Sequence, residues 1–193
     1  MIPNVTKGAD TRGLVRYLVG PGRANEHTDP HVIGGDPHLV AWHGAEQLEM
    51  ASANEIADYI DEPRVLYGTE MKTQVTAVDP ETGKKVVMGH RDQHTWHCSL
   101  SLPPGEGPLS DESWRQIADD FMDGMGFTEA GSGKADCRWV AIHHGESKNG
   151  NDHIHVAASM VREDGTRWDG RWLDYRRAQE VCRELEHKHG LSV

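Results

Sequence analysis

Two kinds of spacing run along the chain, and they divide it into strands and helices. Thr95-Trp96-His97-Cys98-Ser99-Leu100-Ser101-Leu102 puts Trp96, Cys98, Leu100 and Leu102 on one side and Thr95, His97, Ser99 and Ser101 on the other. That two-residue period predicts a half-buried strand of an antiparallel sheet. From Asp152 to Val161 the period recurs, with Ile154, Val156, Ala158 and Met160 facing one way and His153 and His155 the other. Cys137 to Ile142 is a third apolar run; it delivers His143 and His144 at its end, and the polar stretch Gly145 to Asn151 turns it back as an antiparallel hairpin. Helical spacing governs Trp114, Ile117, Ala118, Phe121, Met122 and Met125, behind a cap at Ser110 or Asp111. It returns from about Leu173 to His189, where Ala178, Val181, Cys182 and Leu185 face inward and Gly190 stops the helix.

Weaker patterns fill the remainder. Ala9 to Val19 carries Leu14, Val15 and Leu18 and ends at Gly20-Pro21-Gly22, which predicts a short helix after a leading segment. Arg23 to His31 reads as a polar loop, His38 to Trp42 as the start of either a strand or a helix, and Asn54 to Ile60 as a helix capped by Asn54 or Ser52. Gln74–Val78 and Lys84–Met88 flank Asp79-Pro80-Glu81-Thr82-Gly83 and predict a protruding hairpin. There is no repeat, low-complexity run or linker. The expectation is a single α+β domain over residues 1–193, an antiparallel β-sheet with helices packed mainly on one face and a histidine cluster on the open face.

Composition changes this picture in three respects. A chain of 193 residues is long enough to close one core without staples. Cys98, Cys137 and Cys182 are odd in number and far apart, which argues against a disulfide framework or a cysteine zinc site. With no apolar leader and no candidate span, they point to a reducing cytoplasm. The net charge of −11 opposes general nucleic-acid binding. The acids, however, concentrate around 54–62 and 110–123, whereas the first 23 residues carry Lys7, Arg12, Arg16 and Arg23 against Asp10 alone. A basic surface on an acidic body is compatible with that distribution.

The candidate chemistry lies in the histidines. His153 and His155 project from one face of one strand, which is half of a metal site, and His144 or His143 across the hairpin could supply a third imidazole. In a chain with 13 histidines such a pair alone proves little. His27 and His31, in the polar loop, are alternative ligands or nucleophiles. Three neutral imidazoles would complete one face of coordination and leave positions open for water or substrate. Tyr17 sits in the last turn of the first helix. Asp152 or Glu146 could orient a histidine through its second nitrogen, Asp152 being the better placed. Arg176 and Arg177 could hold phosphates, and Trp168 and Trp172 could stack on unpaired bases.

Taken together, these blocks resemble the nuclease domain of plasmid relaxases, members of the HUH endonucleases, and in particular relaxases of actinobacterial mobile elements. The residues that carry the resemblance are His153-Ile154-His155; Gly13-Leu14-Val15-Arg16-Tyr17-Leu18 with Gly20-Pro21-Gly22-Arg23; Glu26 to His31; Trp96 to Leu100 with Trp114; and Cys137 to Ala141 running through to Gly165. The resemblance implies a divalent metal, Mn2+ or Mg2+, on His144, His153 and His155, with Tyr17 as nucleophile. His144 stands where that family has its third histidine, although the loop from Gly145 to Asn151 is longer than usual. It further implies nicking of single-stranded DNA at an origin of transfer beside a hairpin, through a 5′-phosphotyrosine, to begin conjugative transfer or mobilization. Arg12, Arg16, Arg23, Arg176 and Arg177 would contact the DNA, and relaxosome accessory proteins and a coupling protein would be partners of a monomer. Relaxases of this kind usually continue beyond the nuclease domain. The competing readings are an HUH replication initiator, a hydrolase that uses metal-bound water, and a non-catalytic metal-stabilised DNA-binding module.

Overall fold

In a computed structural model of the chain, residues 1–21, 29–44, 47–146 and 150–192 are described, Glu146 by its backbone alone. Five strands form one fully antiparallel sheet: β1 (Ile2–Gly8), β2 (His31–Gly35), β5 (Thr95–Ser101), β6 (Cys137–Glu146) and β7 (Asp152–Arg162), in the spatial order β1-β5-β7-β6-β2. β3 (Lys72–Val78) and β4 (Lys85–Asp92) make a separate, mostly exposed two-stranded hairpin. The helices are α1 (Thr11–Val19), α2 (Pro37–His43), α3 (Met50–Tyr67), α4 (Asp111–Met125), the single turn α5 (Glu129–Ser132) and α6 (Asp174–His189). This is the α+β architecture expected from the spacing. Among the described residues, no helix is long and apolar enough to cross a membrane.

The alternation in β5 and β7 places the core. Trp96, Cys98, Leu100, Ile154, Val156, Ala158 and Met160 join Trp114, Ile117, Phe121 and Met122 of α4 and Val181 and Cys182 of α6 in one buried cluster. Burying a side chain of this size contributes about 1.5–3 kcal/mol, so this layer dominates the fold's stability. On the sheet's other face the polar positions are interrupted by Val140, Ile142 and Ala157. These pack with Val15, Leu18 and Val19 of α1 and Ala53, Ile56, Ala57 and Ile60 of α3. Thr11 Oγ1 ties the start of α1 to Thr95 Oγ1 at 2.7 Å and to Asp61 Oδ1 of α3 at 2.8 Å.

Three elements differ from the pattern-based reading. β1 stands where a leading segment was expected, because an edge strand of mixed composition, Ile-Pro-Asn-Val-Thr-Lys-Gly, carries little periodic apolar signal. β2 begins at His31, at the end of the presumed loop, and its two glycines serve close approach. A Cβ on Gly35, whose φ is +125°, would meet the Trp139 carbonyl oxygen at 2.5 Å. α3 runs from Met50 to Tyr67, well beyond Asn54–Ile60. It continues past Pro63 and ends where Gly68 adopts the left-handed conformation.

Candidate metal centre

The hairpin of β6 and β7 positions the histidines. Ile142 pairs with His155 and His143 with Ile154, so His143 shares the face of Ile154, toward α4. The register slips once between Cys137 and Trp139 and again after His143, before Glu146 pairs with Asp152. His144 therefore emerges on the face of His153 and His155. Ligand atoms of His144, His153 and His155 all lie within 4.8 Å of one another. The His144 ring stacks on that of His155 at 4.5 Å, and His153 meets the two edge-on at 5.1 and 5.3 Å. His144 and His153 are buried. Strand alternation had left His143 and His144 as equal candidates; the structure groups His144 with the pair.

Hydrogen bonds at the outer nitrogens fit this trio to a metal. His153 Nδ1 lies 3.2 Å from the Asn151 carbonyl, which can only accept, so the proton sits on Nδ1 and the lone pair on Nε2. His155 Nδ1 lies 2.8 Å from His97 Nε2, and His97 Nδ1 lies 2.9 Å from Thr6 Oγ1. The His97 and His155 rings are stacked, with planes 2° apart. Burial pushes His97 down to about 4, which keeps it neutral at ordinary pH. In the tautomer whose Nδ1 donates to the Thr6 hydroxyl, a neutral His97 accepts from His155 Nδ1 and directs the His155 lone pair to Nε2. Orientation through the second nitrogen, expected from Asp152 or Glu146, thus comes from His97 for His155. The polar face of β5 already displayed His97; what the sequence lacked was its cross-strand register, His97 opposite Ala157 and Ser99 opposite His155.

Asp152 orients a different histidine. It is buried and accepts from His143 Nε2 at 2.9 Å, the Leu109 amide at 2.7 Å and the Trp114 indole at 2.8 Å. Burial raises the Asp152 carboxyl, but these donors outweigh it and hold the group below the usual carboxylate range. His143 is depressed by burial, yet its bonds to Asp152 and Asp111 prevail and raise it. The side chain of Glu146 lies outside the described residues.

Tyr17 is 42% exposed and lines a pocket of about 520 Å³ with Asp10, Arg12, Gly13, Arg16 and Met50. α1 starts level with Thr95, and its apolar side shares a cluster with Ile142, the partner of His155. Arg12 in this pocket is already paired with Asp58. Arg23 and His27 lie outside the described residues. Arg176 and Arg177 are not brought to the trio: they sit at the start of α6, under the opposite face, bonded to Glu180 and to the Gly124 carbonyl. Trp168 is core, stacked on Phe127 at 4.1 Å, whereas Trp172 is exposed near α6. Tyr59 donates to Asp36 at 3.0 Å under the Arg138 guanidinium; burial and that bond push it up to about 12, which leaves it poorly placed as a nucleophile. Tyr67 packs against Gly165, and Tyr175 lies on α6.

A family model described as "Relaxase: MobA/VirD2-like, nuclease domain" matches residues 64–191, about two thirds of the chain. That span contains the histidine trio, His97 and Asp152, and it begins after α1 and Tyr17. Among curated proteins, none matches the chain.

Proposed function

The chain belongs to the MobA/VirD2-like relaxase nuclease-domain family, and from that premise we propose that it nicks single-stranded DNA at an origin of transfer, by transesterification onto Tyr17. The observation that carries this reading is the convergence of His144, His153 and His155 within 4.8 Å at the hairpin of β6 and β7. Two of the three rings have outer hydrogen bonds consistent with Nε2 as the ligating atom, and three neutral imidazoles suit a divalent ion, Mn2+ or Mg2+ in this proposal. Bound there, such an ion would polarise the non-bridging oxygens of the scissile phosphate.

The protein's own groups do the rest. His97 and Thr6 fix the His155 ring, the Asn151 carbonyl fixes His153, and Arg16 presents a positive charge beside Tyr17 to hold the phosphate. The Tyr17 phenol gives up its proton and forms an O–P bond. The bond from phosphorus to the 3′ oxygen breaks, and that oxygen takes up a proton. A 5′-phosphotyrosine results, which conserves the broken ester and allows rejoining. Residues 1–193 act in this proposal as one nuclease domain, a monomer whose partners are relaxosome accessory proteins and a coupling protein.

The test is incubation with single-stranded DNA carrying candidate origin sequence and Mn2+ or Mg2+, followed by denaturing electrophoresis. A slow-migrating covalent species that is lost in Tyr17→Phe is expected. Adduct formation unchanged in Tyr17→Phe assigns the nucleophile elsewhere, and free 5′ ends without adduct select hydrolysis by metal-bound water.

A further inference from the structure

On the other face of β6, directly behind the trio, three more potential ligands converge. His143, Asp111 at the first position of α4 and His31 at the start of β2 have ligand atoms all within 4.8 Å of one another. His143 Nδ1 lies 2.9 Å from Asp111 Oδ1, and His31 Nε2 lies 3.0 Å from Asp111 Oδ2. The opposite nitrogens are committed. His143 Nε2 donates to the buried Asp152 carboxylate, itself held by the Leu109 amide and the Trp114 indole, and His31 Nδ1 donates at 2.7 Å to the Asp29 carbonyl. Carboxylates and carbonyls only accept, so each imidazole keeps its proton on the outer nitrogen and, when neutral, turns a lone pair toward Asp111. Two lone pairs and a carboxylate then face one point, an arrangement that requires positive charge among them.

One divalent ion satisfies that requirement and balances the two carboxylates, Asp111 and Asp152. The pattern of histidine backed by a carboxylate or a backbone carbonyl is also how metal-ligating imidazoles are held. At metal–ligand distances of about 2.1 Å, tetrahedral ligands stand about 3.4 Å apart, so Asp111 would need to withdraw by only about half an ångström. Its side chain is 56% exposed, which gives an ion a way in. We infer that His31, Asp111 and His143 form a second site, for a first-row transition ion such as Zn2+ or Co2+, which fastens the edge strand β2 and the start of α4 to β6. Mixed imidazole and carboxylate donors favour such ions over Mg2+.

The probe is Co2+, titrated into the metal-free protein while its visible absorption is followed. Two equivalents are expected for wild type, one for Asp111→Ala and one for His153→Ala. Zn2+ is expected to raise the Tm of His153→Ala but not that of the His153→Ala/Asp111→Ala double variant. Should Asp111→Ala fail to fold, His31→Gln, at a partly exposed edge position, serves in its place. One equivalent in wild type that survives His153→Ala and is lost in Asp111→Ala would support this site while counting against a metal on the trio. Stoichiometry unchanged by both Asp111→Ala and His31→Gln overturns the inference and leaves the residues as a proton-filled ionic network.

Discussion

Replacing His97 by Phe tests whether the trio is built for a metal. Phe keeps the ring that stacks on His155 and removes the nitrogen 2.8 Å from its Nδ1. The His155 Nδ1 then loses that hydrogen bond in a partly buried position, which costs about 1–3 kcal/mol of stability. The ring also loses the partner that fixes its tautomer. Removing such a partner typically weakens metal binding about 10- to 100-fold, which corresponds to about 1.4–2.7 kcal/mol. A metal affinity lower by one to two orders of magnitude is therefore expected. His97→Gln, which restores an acceptor, should recover part of it. The assay is Mn2+ binding by calorimetry, read beside circular dichroism to show that the fold is intact. Wild-type affinity in a folded His97→Phe protein would refute the orientation argument, whatever happened to nicking.

Other perturbations read other parts of the structure. Trp114→Phe removes the indole donor to buried Asp152 and should destabilise by about 1–3 kcal/mol in denaturant unfolding, with a larger loss than Trp172→Phe at the exposed position. Gly35→Ala forces a Cβ onto the Trp139 carbonyl at a positive φ and should cost at least about 1–3 kcal/mol, seen as a lowered Tm. Burial raises the Asp120 carboxyl, but Lys188 and His189 outweigh it and hold it below the usual range. Its stabilising effect is therefore present above the ordinary carboxylate pKa and lost as pH falls through the depressed value. Asp120→Asn should be less stable than wild type near neutral pH, by no more than about 1 kcal/mol at this partly exposed pair, with the difference vanishing in acid.

Strong periodicity made the centre of the fold legible. β5, α4 and α6 each bury one regular face, and β7 keeps a regular apolar alternation although both its faces are covered; regular alternation is what spacing reports. The edge strands β1 and β2 carry few apolar residues, and Pro63 within α3 reads as a stop although the helix continues. The histidine pair was legible because two residues on one strand share a face by local geometry. The choice between His143 and His144 was not, since it depends on where the bulge enters β6. The Trp114 indole on Asp152 and the His97 contact to His155 join residues 38 and 58 positions apart, which no local pattern encodes.

The most direct test of the central claim is to locate the covalent bond. After reaction with single-stranded DNA and Mn2+, nuclease trimming and tryptic digestion, the segment 17–23 carries Tyr17 as its sole tyrosine. The account predicts a nucleotide mass on that segment, absent when the trio is disabled by His153→Ala. Nucleotide found on segments bearing Tyr59, Tyr67 or Tyr175, or DNA cleaved with no modified peptide at all, would contradict it.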